Sequence, residues 1–143
     1  MDWTQLAPEF EWDGMLRDIY VVGTNVDDWQ RVLDALDRIE PRPSLLVNGQ
    51  PARLPTHAAS LFEIRSTASP LLTADVGGVH INCHFFGDNE IEFDLDPREV
   101  TGPAQIDAVS GFMKLLAQTT GKMAILTYEN AKEEIILSVT PEL

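Results

Sequence analysis

The chain has 143 residues, and 23 Asp and Glu against 10 Lys and Arg leave a formal net charge of −13. A length of this order suits one domain spanning 1–143 that buries roughly 70% of the surface of its unfolded chain, and 44% hydrophobic residues exclude wholesale disorder. The negative balance argues against a grip on phosphate backbones or anionic lipid, so neither nucleic acid nor membrane is an expected partner.

Residues 10–12 and 15–22 flank Asp13-Gly14, a pair that tolerates the positive φ angles of a type I′ turn, and this predicts an opening hairpin. A helix follows, capped by Thr24 or Asn25, with Asp27 and Asp28 in its first turn near the positive end of the dipole. Val26, Trp29, Val32, Leu33, Leu36 and Ile39 recur at helical spacing as one core-facing stripe, which Pro41 and Pro43 terminate. Asn48-Gly49 between 44–47 and 50–54 predicts a second hairpin, with Pro51 placing its second strand at an edge. A short helix is expected over 56–65, capped by Thr56, with His57 as a neutral surface histidine in its first turn.

The stretch 71–96 carries the most information. Strands over 71–76 and 79–86 join through Gly77-Gly78, and a third over 90–96 follows Gly87-Asp88-Asn89, with Asn89 left-handed. In this register Ala74 opposes Ile81, Leu72 opposes Cys83 and Phe93, on the next strand, also meets Cys83. One face of the meander is then wholly apolar. The other collects Asp75, Thr73, His80, Asn82, His84, Glu90, Glu92, Asp94 and Asp96. A last helix is expected from Pro103 to about Thr120, with Gly121 as a left-handed C-cap, before two closing strands over 122–128 and 134–140. The whole reads as an α+β fold: a largely antiparallel sheet of hairpins around a central three-stranded meander, with three helices packed on one face.

The chain has one cysteine, so no intrachain disulfide is possible, and its flanks Ile81 and Phe85 place Cys83 in the core. No basic start or long apolar run marks a secretion signal or a membrane span, so a cytoplasmic protein is expected. No Gly-x-Ser-x-Gly, Walker or Gly-x-Gly-x-x-Gly motif and no Cys-x-x-Cys pair appears, so no reaction and no cofactor is assigned.

Chemistry gathers on the polar face of the meander. His80 is expected between Asp75 and Asp96, with His84 facing Glu92 and Asn82 facing Asp94, and flanking carboxylates should raise the His80 pKa. His80, Asp75 and Asp96 are also the one constellation for a metal, and they define the alternative of a metal-binding protein or metal-dependent enzyme. The leading expectation is a non-enzymatic acidic binding protein whose partner is a basic protein. Its docking stripe comprises Asp88, Glu90, Glu92, Asp94, Asp96 and Glu99, with Trp3 or Trp12 as aromatic anchors, although Trp12 and Trp29 also read as core residues. A homodimeric module pairing through an edge strand is the third alternative.

Arg17-Asp18-Ile19-Tyr20-Val21, Asp28-Trp29-Gln30, Cys83-His84-Phe85-Phe86 and 92–99 resemble a bacterial family of small acidic α+β proteins to which no activity attaches. In size, charge and lack of catalytic motifs the chain also resembles the immunity proteins that neutralise polymorphic or contact-dependent toxins. That resemblance implies capture of a basic toxin domain by an acidic face. It carries no functional residue over, because it rests on no diagnostic motif.

Overall fold

The computed structural model describes residues 2–142; residues 1 and 143, the outermost of the expected domain, lie outside the described residues. A short helix α1 (Trp3–Leu6) runs into a 3-10 turn over Ala7–Phe10 and is followed by strand β1 (Arg17–Val22) and helix α2 (Val26–Leu36). Next come β2 (Ser44–Val47), β3 (Gln50–Ala52), helix α3 (Ala58–Arg65), β4 (Pro70–Val76), β5 (Val79–Cys83) and β6 (Glu90–Leu95). A 3-10 turn at Pro97–Glu99, helix α4 (Pro103–Thr120), β7 (Ala124–Tyr128) and β8 (Ala131–Val139) complete the chain. The strands form one antiparallel sheet ordered β3-β2-β4-β5-β6-β1-β7-β8, with α2, α3 and α4 packed against one face, an α+β fold.

The meander forms as its alternation dictates. Val76 faces Val79, Ala74 faces Ile81, Leu72 faces Cys83 and Asn82 faces Asp94. Leu72, Ala74, Ile81, Cys83, Ile91, Phe93 and Leu95 are each at most 1% exposed beneath the helices, which confirms the apolar side. Cys83 lies in this core, and burial pushes its thiol pKa up, away from reactivity. The Asn48-Gly49 hairpin also forms, with both residues at positive φ and β3 at the sheet edge. Asn25 caps α2 in a reciprocal box with Asp28, and Gly121 ends α4 at φ +70°. Four of the α2 stripe residues, Trp29, Val32, Leu33 and Leu36, are buried, whereas Val26 is exposed.

The opening differs from expectation. Residues 10–12 form no strand, because both edges of β1 are already occupied: Ile19 lies between Phe93 of β6 and Leu126 of β7. Residues 3–10 coil instead into helical turns. Asp2 caps them by accepting the Thr4 amide, and Trp3 stacks on Phe10 with ring centroids 6.0 Å apart. Arg17, 1% exposed, holds this segment down. Its guanidinium donates to the carbonyls of Glu9, Glu11, Met15 and Leu16 and pairs with Asp13 at 3.1 Å. Trp12 is no core residue: it is 49% exposed, with the Arg98 guanidinium 3.8 Å from its ring centroid.

Further local expectations fail. The expected cap of α3 at Thr56 is replaced by His57, which makes no side-chain cap; the Ala58 amide instead donates to the Gln30 side chain at 2.7 Å. The meander's second connection is longer than three residues, because β5 stops at Cys83, and Phe85 rather than Asn89 is left-handed, at φ +57°. That turn seats the Phe85 ring against Trp29 and Phe62, 5.4 and 6.1 Å away. A left-handed non-glycine residue is disfavoured by about 1–2 kcal/mol, and burying a phenylalanine contributes roughly 1.5–3 kcal/mol, so packing wins. Finally, α2 stops at Leu36, ahead of Pro41, and β8 begins at Ala131 rather than 134.

Candidate functional site

The sheet face opposite the helices holds the chemistry, and it divides into two parts. Over β4 and β5 the polar side chains find partners. The Thr73 hydroxyl donates to Asn82 at 2.8 Å, and one Asp75 oxygen accepts the Gly78 amide at 2.9 Å. His80 is clamped by Glu99: its backbone amide donates to one carboxylate oxygen at 3.0 Å, and its Nδ1 lies 2.9 Å from the other. The Glu99 carboxylate raises the His80 pKa through this hydrogen bond and its charge, with Asp75, 3.9 Å from Nε2, adding to the shift.

The expected sandwich of His80 between Asp75 and Asp96 is therefore corrected. Asp96 caps the 3-10 turn by accepting the Arg98 amide, and its carboxylate pairs with the Arg98 guanidinium at 2.7 Å. Glu99, which that turn swings back over β5, occupies the place beside His80. His84 is likewise displaced: beyond the end of β5, its Nε2 lies 3.7 Å from Asp94, not against Glu92. Among the described residues no group of three or more His, Cys, Asp or Glu side chains is arranged to hold a metal ion.

Over β6 and β1 acid meets acid. Asp18 of β1 stands opposite Asp94 of β6, and Tyr20 stands opposite Glu92. Asp18 is 4% exposed, and its carboxylate accepts from the Tyr20 hydroxyl at 2.9 Å and from the Asn130 amide at 2.8 Å. The start of β8 leans across this face. Lys132 reaches over the Tyr20 ring, 4.9 Å from its centroid, to pair with Glu90 at 2.6 Å. The crossing removes water from carboxylates that already repel one another. Burial pushes the pKa of Asp18, Glu92 and Asp94 upward, and neighbouring acids add to the shift: Glu129 at Asp18, Asp18 and Glu90 at Glu92, and Asp18 at Asp94. Burial and then Asp18 likewise push the Tyr20 hydroxyl up, so it stays a donor.

Of the expected docking stripe, Glu90, Glu92 and Asp94 share this face, and Asp88 lies exposed in the loop at its end. Asp96 and Glu99 are engaged by Arg98 and His80. Two contributors escaped the sequence reading. Asp18 and Tyr20 lie on a strand assigned to the wrong hairpin; the alternation Asp18-Ile19-Tyr20-Val21 is the signal that would have found them. Phe86, 62% exposed, stacks on His84 at 5.3 Å, and His84 lies beside Asp94, so the exposed aromatic ring at this face is Phe86, not the expected Trp3 or Trp12.

The arrangement offers carboxylates gathered on one face beside an exposed aromatic ring. Comparison with protein-family models, with curated proteins and with solved structures yields no match. Among the described residues no helix is long and apolar enough to cross a membrane.

Proposed function

We propose that this protein is a non-enzymatic binding protein that captures a basic protein through the acidic face of β6 and β1, as an immunity protein captures a basic toxin domain, in the cytoplasm. The observation that supports this reading most is the opposition of Asp18 and Asp94, with Glu92 and Glu90 on the same face and Lys132 paired with Glu90. Folding gains nothing from like charges set across neighbouring strands. A cationic partner gains from them, because a focused field accelerates encounter and discriminates against acidic competitors. In this reading Phe86 supplies the apolar contact at the rim, and Asp96 and Glu99 shape the surface without docking.

The partner, identified by affinity capture and by the gene beside this one, supplies the test. Neutralising Glu90→Gln, Glu92→Gln and Asp94→Asn together is expected to slow association about tenfold or more at low salt and to flatten its salt dependence. The dissociation rate should change less and the circular dichroism spectrum should stay unaltered. Unchanged association kinetics in the triple variant would remove the acidic face from the reading.

A further inference from the structure

At the last residue of β1 the open sheet face turns apolar. Val21 and Ala124 pair across β1 and β7 and point into the helix-side core. Side chains alternate along a strand, so Val22 shares the open face with Asp18 and Tyr20, beside its partner Glu90. The same register carried one residue further sets Met123 on the other side of Val22. Lys122, the residue before it, turns to the helix side, where its ammonium pairs with the buried Asp28 of α2 at 3.0 Å. One row back along these strands, Tyr20 and Ile125 are buried, and Lys132 crosses the tyrosine ring. Val22 and Met123 have no such cover: they are 54% and 48% exposed.

Single exposed apolar side chains are ordinary on a protein surface, but these two are neighbours and they border the acids. In the sheet order β5-β6-β1-β7, the acids of β6 run between Phe86 on one flank and Val22 with Met123 on the other. Glu90, Glu92 and Asp94 face this side because Ile91, Phe93 and Leu95 fill the core. Lys132 takes Glu90, whereas Glu92 and Asp94 have no lysine or arginine partner among the described residues. Apolar surface beside uncompensated acid suits a segment that is apolar and basic at once. A second copy of this chain fits poorly. A two-fold contact sets a patch against itself, so the β6 carboxylates of one copy would meet those of the other. We propose that Val22 and Met123 form an apolar seat for a large aliphatic side chain in a lysine- or arginine-rich protein segment, whose cations lie over Glu92 and Asp94. This seat presupposes the acidic-face reading and supplies what holds the partner once charge has brought it there.

An amide-resolved NMR titration of the full chain at low salt with the end-blocked peptide Lys-Lys-Leu-Leu-Lys-Lys tests this. Matched peptides carry serine in place of leucine, or glutamate in place of lysine. The leucine peptide is expected to shift the amides of Val22, Met123 and Glu90 saturably and to bind about fivefold or more tightly than the serine peptide. Val22→Ser with Met123→Ser should erase that ratio while the circular dichroism spectrum stays unaltered, since both side chains are half exposed. If the double variant fails to fold, Met123→Ser alone, outside the strands, must reduce the ratio about twofold or more. Glu90→Gln, Glu92→Gln and Asp94→Asn together should weaken both lysine peptides and leave the ratio standing. The seat and the acidic face therefore fail separately. Equal binding of the leucine and serine peptides, or the parental ratio in the Val22 and Met123 variants, overturns the seat alone. No binding by either lysine peptide overturns the acidic face and the seat together. The glutamate peptide binding as tightly as its lysine counterpart, or a dimer mass by light scattering that Met123→Ser returns to the monomer, also overturns the proposal.

Discussion

The two halves of the open sheet face share one surface and one alternation, yet they are built on opposite terms. Over β4 and β5 each polar group has a mate of complementary kind: hydroxyl with amide, imidazole with carboxylate, carboxylate with turn amide. Over β6 and β1 carboxylate stands opposite carboxylate, and the hairpin tip at Asn130 and Lys132 shields the cluster from the water that would screen it. The first half stabilises the fold by ordinary satisfaction of polar groups. The second half stores repulsion. Neutral residues at these positions would serve the sheet better, and this cost is what the proposed capture of a basic protein accounts for.

Tyr20→Phe should break this contrast most visibly. It removes the hydroxyl donated to the buried Asp18 carboxylate and leaves only the Asn130 amide, so unfolding free energy should drop by about 1–3 kcal/mol in urea denaturation. An unchanged midpoint would mean that water already satisfies Asp18.

Glu92→Gln should act in the opposite direction, stabilising by roughly 0.2–1 kcal/mol through relief of like-charge opposition. The sign with pH follows from proton binding. The Glu92 pKa is raised in the folded state, so the folded protein holds that proton where the unfolded chain has released it, and the contribution of Glu92 to stability falls as pH rises through the raised value. The advantage of Glu92→Gln should therefore be greatest at neutral pH and fade as the parental Glu92 becomes protonated. A constant difference across that range would contradict the repulsion.

The smallest effect belongs to the satisfied half. His80 should titrate above 6.5 by NMR in the parent and move back toward 6.5 in Glu99→Gln. Its contribution to stability is fully present below pH 6.5 and lost as pH rises through the raised folded value. Because the imidazole is half exposed, the accompanying change in stability should be slight.

Legibility in the sequence followed the range of the forces involved. The Gly77-Gly78 turn fixes a register over neighbouring residues, so Asp75 opposite His80 could be read by parity alone, and parity across the next connection gave Asn82 opposite Asp94 even though that loop is longer than expected. Gly121 and Pro103 mark α4 in the same local way. Asp13-Gly14 misled because a turn signal says that the chain bends but not what pairs afterwards. The partners of β1 lie on β6 and β7, beyond any local pattern, and with them went Asp18 and Tyr20. Glu99 was read as one more acid of the stripe; its return to His80 depends on the 3-10 turn at Pro97, through which alternation does not carry.

The central place of β1 has a consequence for assembly. Arg17 lies beside Leu95 on one side and Tyr128 on the other, so the strand waits on segments synthesised roughly eighty and one hundred and ten residues later. Emerging from the ribosome, β1 has no strand to pair with on either side until β6 is out, and such distant pairings close slowly. The opposed carboxylates of β1 and β6 are consequently brought together only once β6 has been made, and β7 must follow before β1 is flanked on both sides.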